Sequence, residues 1–329
     1  MTTPTDLAYN PLSSLTPEQW DQCTISTCPL TWANILYLPS LAANTIFLSI
    51  FSIILLCQIF LGIKYRTWGF LAGMFGGLVL EVLGYLGRIQ LHFNPFNFNA
   101  FLLYLIPLTI GPAFLSASIY LCLGRLINIH GPALSRLRPR TYTLAFICCD
   151  FIALLLQAIG GALAATAGSY FKKNSKRQLD LGVHIMIAGL AFQVLSLLMF
   201  LGLSGEFAIT VLKTAENEKP ARFARVRATK RFKSFQIALW MAAVFIFIRC
   251  VYRVAELQAG FGGKIANNEP AFMVLEGPMI ISATVLLTVW HPAVAFGEEW
   301  NNANWHLRER KEGAVNEEKE EKEASKEEV

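Results

Sequence analysis

The chain has 329 residues, of which 54% are hydrophobic and only 16% are charged, with a formal net charge of +5. Soluble domains carry about 25% charged residues, and here the charges fall in short runs between long apolar stretches. This excludes an ordinary water-soluble domain, and it places the basic surplus beside a membrane, against anionic headgroups, and not on nucleic acid.

Residues 1–37 contain no Lys or Arg. They lack the basic start and apolar core of a cleavable signal, so the first apolar stretch is expected to act as its own insertion signal. Cys23 and Cys28 lie here. On an oxidising side they could pair; two free thiols are the alternative. The other five cysteines fall in apolar stretches or at their ends, where they pack as small apolar groups.

A helix needs roughly 20 apolar residues to cross about 30 Å of hydrocarbon. Seven stretches approach that length: 38–62, 68–88, 100–122, 142–167, 182–203, 235–257 and 269–291. They are too long for strands and do not alternate with period two. The predicted fold class is all-α, a polytopic bundle of seven transmembrane helices. An extracellular segment 1–37 precedes a membrane domain 38–292, and a charged cytosolic tail 293–329 follows it. Of the loop and tail Lys and Arg, 20 fall on one side and six on the other, which sets the N-terminus outside and the C-terminus in the cytosol.

The stretches carry distinct marks in chain order. Asn44 opens the first. The second holds Gly69, Gly73, Gly76 and Gly77, then Glu81 and Arg88. The third holds Pro107 and Pro112. The fourth holds Asp150, Gln157, Gly160 and Gly161, and the fifth Gln193. The sixth carries Arg249, Arg253 and Glu256, and the seventh Glu269, Glu276 and Pro278. The glycines predict close helix approach and the prolines predict kinks. The 204–234 loop has eight basic residues and is expected to meet anionic inner-leaflet lipids. Its 213–233 run, with Phe223, Phe232 and the following Phe235 interleaved, is expected to be either an amphipathic helix or a solvated loop. The Glu/Lys-rich run from Glu312 to Val329 belongs to no core.

An ionisable side chain at the bilayer centre costs about 2.5–3.5 kcal/mol on insertion scales, so such groups face a bundle interior or a wet cavity. Glu81 and Arg88, Asp150 and Gln157, and Glu269 and Glu276 each lie seven residues apart, and Arg249, Arg253 and Glu256 are spaced i, i+4, i+7. Each set therefore shares one helix face. Given the orientation, most of these residues fall in the outer half of the bundle. Asp150 lies towards the inner side, and Gln157 and Gln193 lie near mid-depth. Two readings follow: a substrate path, or interhelical salt bridges that fix packing. Arg88, Glu256 and Glu269 are near enough to span ends to snorkel.

No G-x-x-x-x-G-K-[ST] phosphate loop and no H-E-x-x-H occur, and the five histidines divide between the two sides. ATP-driven pumping and a three-histidine zinc centre are disfavoured, and no cofactor is expected. The seventh stretch has no Lys for a retinal Schiff base. The third ends Leu123-Gly124-Arg125 and the seventh His291-Pro292, so the common seven-helix receptor triplets are absent.

An ordered set of short motifs runs from residue 37 to 292. It comprises Tyr37-x-Pro39-Ser40-x-Ala42-x-Asn44, Glu81-x-x-Gly84-Tyr85-x-Gly87-Arg88, Tyr120-x-x-x-Gly124-Arg125, Asp150 with Gln157-x-x-Gly160-Gly161, and Gly189-Leu190-x-x-Gln193. Then come Arg249-x-x-Tyr252-Arg253-x-x-Glu256, Gly260-x-x-Gly263, and Glu269, Glu276, Met279 and His291-Pro292. Together they resemble the fungal lipid-translocating exporters, or RTA-like proteins, which include sphingoid long-chain-base and aminocholesterol resistance proteins. The chain departs from that pattern at Gly111, Tyr252, Glu276 and Ala293, where Ala, Phe, Asp and Gly are usual. The resemblance implies seven spans, a fungal source, and a role in export, flip or tolerance of amphipathic lipids at the plasma membrane.

The leading expectation is a transporter or translocation factor for amphipathic lipids, sphingoid long-chain bases or sterol-like toxic amphiphiles. The intramembrane acids outnumber the bases by two, which favours a cationic amine headgroup. Arg253, Glu256 and Glu81 are expected to be the most sensitive positions. The alternative is a lipid sensor or receptor-like regulator signalling through its cytosolic loops and tail. An embedded enzyme is a third class, for which no metal or nucleophile constellation speaks.

Overall fold

The computed structural model describes residues 35–169, 175–258 and 265–302 other than 298, with single positions at 25, 28–30, 33 and 263. Among them there are helices and turns but no strands. The helices are α1 (Leu41–Lys64), α2 (Trp68–Phe93), α3 (Phe98–His130), α4 (Pro139–Ser169), α5 (Ser175–Lys213), α6 (Lys230–Gln258), α7 (Glu269–Leu275) and α8 (Gly277–Val289). Helices α7 and α8 together form one span. Seven spans are thus long and apolar enough to cross a membrane, and the protein is a multi-pass membrane protein.

Several helices outrun the apolar stretches that announced them. The third stretch ends at 122, yet α3 continues to His130; the fifth covers 182–203, yet α5 covers Ser175–Lys213. Hydropathy marks only the part that sits in hydrocarbon, whereas the backbone keeps its hydrogen bonds past the headgroups. The extra turns of α3 are packed, with Leu126, Ile127 and Ile129 buried.

Helix α3 is the most enclosed span and α1 the most open to its surroundings. Helix α3 packs on α2 and α4, α5 on α4 and α6, and α8 on α6 and α1. Small residues make two of these seams possible. A Cβ at Gly87 would lie 2.5 Å from the Tyr104 backbone nitrogen, and one at Gly160 would lie 2.5 Å from that of Met186. Gly161, expected to share this role, has no neighbour within 4 Å of such a Cβ. It lies one residue, about 100°, further round the helix, and so faces away from the seam.

Of the three prolines expected to kink their helices, only Pro278 coincides with a break. Helix α7 stops at Leu275, Glu276 takes φ −97° and ψ −75°, and α8 resumes with Pro278 in its first turn. Pro107 and Pro112 lie within an unbroken α3. A proline has no N–H for the carbonyl four residues earlier, so those two free the carbonyls of Leu103 and Leu108.

One end of the bundle holds residues 35–40 and 265–268, joined by Leu36 N donating to Asn267 Oδ1 at 2.9 Å. The opposite end is more folded than a loop and tail. After α5 come the turns Glu216–Glu218 and Ala221–Phe223 and a five-residue helix Ala224–Ala228. The basic 213–233 segment is therefore neither one amphipathic helix nor a solvated loop. Phe223, Phe232 and Phe235 are buried, and Arg227 donates to the carbonyls of Ile129 and Pro220. Its guanidinium also holds the exposed Glu216 carboxyl below the usual range.

The packed structure continues past 292. Two short helices, α9 (Pro292–Phe296) and α10 (Glu299–Asn302), fold back under the bundle. Phe296 lies 5.5 Å from both Phe232 and Phe235, and 5.3 Å from Trp300. The Arg125 guanidinium stacks 3.4 Å over Trp300 and donates to its carbonyl. The Glu/Lys-rich 312–329 run lies outside the described residues. So does Cys23; Cys28 is disulfide-bonded, and Cys57, Cys122, Cys148, Cys149 and Cys250 are free.

The glycine geometry separates two neighbouring positions. Gly160→Val is expected to lower stability by about 1–3 kcal/mol through overpacking of the α4–α5 seam. Gly161→Val should leave it nearly unchanged. Thermal unfolding of the two detergent-purified variants checks this, and equal shifts would contradict the packing described.

Candidate functional site

Helix α6 presents Arg249, Arg253 and Glu256 on one face, towards α3 and the α7–α8 break; all three are at most 4% exposed. Arg253 Nη1 pairs with Glu256 Oε2 at 2.5 Å along the same helix. Its Nη2 donates to Thr109 Oγ1 at 3.2 Å, and Thr109 in turn donates to Leu105 O. Arg249 Nη2 pairs with Glu276 Oε1 at 2.6 Å and also donates to the Leu108 carbonyl. That carbonyl is the one Pro112 releases. One guanidinium thus satisfies a broken hydrogen bond in α3 and fixes the carboxylate at the break in the seventh span.

Arg88 on α2 is fully buried and has no carboxylate partner among the described residues. Its Nε donates to Asn44 Oδ1 at 3.0 Å and its Nη2 to Tyr37 Oη at 2.9 Å. The guanidinium stacks 3.8 Å from the Phe272 ring and 4.9 Å from Tyr104, so cation–π attraction supplements the hydrogen bonds. Burial pushes the Tyr37 phenol above its ordinary value, which keeps it neutral. Asn44 Nδ2 donates to Ser40 O, and Ser40 N donates to Glu269 Oε1 at 2.6 Å. Glu269 is half-buried and ties α7 to the start of α1.

Glu81 is 1% exposed and makes no ion pair among the described residues, and its Oε1 has no hydrogen-bond partner. It lies against Gly111 of α3, where a Cβ would come within 3.1 Å of Oε1. One turn further along α2, the hydroxyl of Tyr85 faces the break: a Cβ at Gly277 would be 2.7 Å from it. That hydroxyl is also unpartnered, as are Glu276 Oε2, Arg249 Nε, Arg253 Nε and Tyr252 Oη. Buried polar atoms in native structures are nearly always satisfied. Several unsatisfied ones are concentrated between α2, α6 and the α7–α8 break.

The remaining sequence-predicted residues serve other seams. Asp150 Oδ2 accepts from Tyr120 Oη at 3.0 Å, joining α4 to α3. Gln157 Nε2 donates to Gln193 Oε1 at 3.0 Å, joining α4 to α5. Tyr37, Tyr85, Tyr104, Thr109 and Phe272 belong to the cluster but were missed as site residues. A tyrosine or threonine costs little in a span, so a search for costly groups passes over it. Tyr85 lies four residues from Glu81, Phe272 four from Glu276, and Tyr104 and Thr109 three from Pro107 and Pro112, a usable one-turn signal that Tyr37 lacks. No grouping of three metal-ligating side chains occurs among the described residues.

The clamp makes a thermodynamic prediction. Arg249→Met leaves Glu276 buried without a cation and Leu108 without a donor, at an expected cost of about 3–5 kcal/mol. Pro112→Ala returns an N–H to the Leu108 carbonyl, so it should gain more stability in the Arg249→Met background than in the parent. A double-mutant cycle on melting temperature measures the difference, and equal gains would show that arginine and carbonyl are not coupled.

Residues 74–299 match the family described as RTA1 like protein. The sphingoid long-chain base transporter RSB1 of Saccharomyces cerevisiae (strain Lalvin EC1118) is 34% identical over 293 residues, covering 80% of this chain and 75% of that one. Protoporphyrin uptake protein 1 of S. cerevisiae is 27% identical over 209 residues, 63% of this chain and 64% of that one. Protein RTM1 of the same species is 26% identical over 216 residues, 65% of each chain. No solved structure matches. The motifs that run from Tyr37 to Pro292, the seven spans and the extent of these matches agree: the chain belongs to the RTA1-like family of membrane proteins.

Proposed function

We propose that this protein is a non-catalytic translocator of amphipathic lipids at the plasma membrane, with sphingoid long-chain bases as its first substrate class. The observation that carries the reading is the Glu81 carboxyl group, buried near the α7–α8 break with no ion-pair partner among the described residues and with Oε1 unbonded, although Arg249 and Arg253 lie close enough to act on it through space. A sphingoid base has a cationic amine on a single long chain. The amine would give Glu81 a direct partner, while the chain stays among lipid-facing residues. The similarity to a relative named as a sphingoid long-chain base transporter supports the same class.

The N-terminal end is taken as the outer one, from the positive-inside distribution. Near that end, a cavity of about 20 Å³ lies between Tyr37, Tyr104, Leu105 and Glu256, room for one water. An amine with its neighbouring hydroxyls needs more space than this, so the reading calls for the helices to open. Entry requires α7 and α8 to move. Discontinuous helices recur at transporter binding sites because their free ends and exposed backbone can hold a polar group. The Arg249–Glu276 pair holds this break, and an arriving cation would compete with Arg249 for the carboxylate.

Proteoliposomes with a fluorescent sphingoid base test the reading. The parent is expected to speed transbilayer movement over empty vesicles. Glu81→Gln should fold and insert normally but lose that acceleration. Equal movement with and without the parent protein would sink the proposal; loss of folded yield in proportion to activity would assign Glu81 to packing alone. The regulator alternative predicts a different dependence. A chain ending after Asn302 keeps α9 and α10 and should still confer lipid tolerance on cells, whereas a tail-dependent sensor should lose it.

A further inference from the structure

A second feature lies at the end of the bundle opposite the N-terminal segment. Gly205 of α5 faces α6, where a Cβ would lie 3.4 Å from the Trp240 ring. From there towards the basic segment the two helices enclose a groove of about 520 Å³, floored by α3. Its walls are apolar, among them Leu126, Phe207, Val211, Leu239 and Trp240. From Gly205 to Leu212 the groove follows α5 for about 10 Å, most of the depth of one leaflet. An acyl chain fits this length and polarity.

The polar end of the groove is specific. His130 and Gln236 line it, and Gln236 Nε2 donates to His130 Nε2 at 2.5 Å. With Nε2 accepting, Nδ1 carries the ring proton. That Nδ1 has no partner, on a residue only 6% exposed. Arg227, 5% exposed and bonded to the carbonyl of neighbouring Ile129, has an unpartnered Nη2. Exposed Lys213 ends α5, and exposed Lys230 and Lys233 begin α6. The 213–233 segment holds eight basic residues against two acids, Glu216 and Glu218. Arg227 Nε and Lys219 already share the exposed Glu216 carboxylate, whereas Lys213, Lys230 and Lys233 make no ion pair among the described residues. The two unsatisfied buried donors and this surplus of cations suit a phosphate with its several acceptor oxygens.

We propose that this groove is a binding site for an anionic glycerophospholipid, with one acyl chain between α5 and α6 and its phosphate among His130, Arg227 and the lysines. A cationic sphingoid base is excluded from it by charge. The site is therefore separate from the proposed substrate path, and it stands or falls without it.

Native mass spectrometry of the full-length protein, titrated in detergent with phosphatidic acid or phosphatidylcholine, tests the proposal. Phosphatidic acid is expected to be retained more tightly. Lys213→Glu combined with Lys233→Glu should weaken it by about tenfold or more. Ala208→Trp fills the groove and leaves every charge in place; it should abolish retention, and His130→Phe should weaken it. Equal retention of the two lipids, or full retention by Ala208→Trp, would overturn the site and leave only adsorption to a basic surface. A phosphatidic acid with a diazirine on its acyl chain needs no variant. It should label the peptides holding residues 204–212 and 236–241, and labelling spread evenly over the spans counts against the groove.

Discussion

The contact on which the interior depends is the Arg249 guanidinium. A buried arginine is tolerated only where polar acceptors or aromatic faces replace its water. Here it takes one of each, Glu276 at the break of the seventh span and Leu108 in α3. The two acceptors exist for related reasons. Pro112 leaves Leu108 without an intrahelical donor, and Pro278 follows immediately on the interruption at Glu276. Two prolines that would each weaken a helix are thus reconciled by one side chain from a third. Removing any member leaves the others exposed to a cost they do not bear now.

Around this clamp the charges are unevenly satisfied, and the unevenness is informative. Arg253 has its acid on the same helix. Arg88 is neutralised by no acid among the described residues and rests on an amide, a phenol and aromatic faces. Glu81 makes no ion pair among the described residues, although Arg249 and Arg253 act on it through space. Arg88 and Glu81 lie seven residues, about 10 Å, apart along α2, too far for a direct helix-surface pair, with Arg88 fastened to Tyr37 and Asn44 and Glu81 near the break. Asp150, Gln157 and Gln193 show what a packing role looks like: each bonds a neighbouring helix and stands apart from the charged cluster.

The two ends of the bundle differ in kind. At one, the N-terminal segment is pinned to residues 267–269 through Leu36 and Ser40, so the first and last spans start from a shared anchor. At the other, aromatic residues from α6, α9 and α10 interlock, with Arg125 stacked on Trp300. The basic segment between α5 and α6 is part of that packed layer. Arg227 is held in it by the carbonyls of Ile129 and Pro220 and by Glu216.

The sequence by itself determined the number of spans, the all-α class and the identity of the costly buried groups, because crossing hydrocarbon imposes length and apolarity locally, residue by residue. It also determined which helix face each charge occupies, because that follows from 3.6-residue geometry alone. It did not reveal that Arg249 chooses Glu276, that Glu81 makes no ion pair among the described residues, or that Gly160 touches a neighbour while Gly161 does not. Nor did it reveal that the chain beyond Pro292 returns to the bundle. Those outcomes depend on how each helix is rotated and set in depth against its neighbours. Only the tertiary structure decides that, because a partner's identity is a property of two faces meeting, and a single helix carries only one of them.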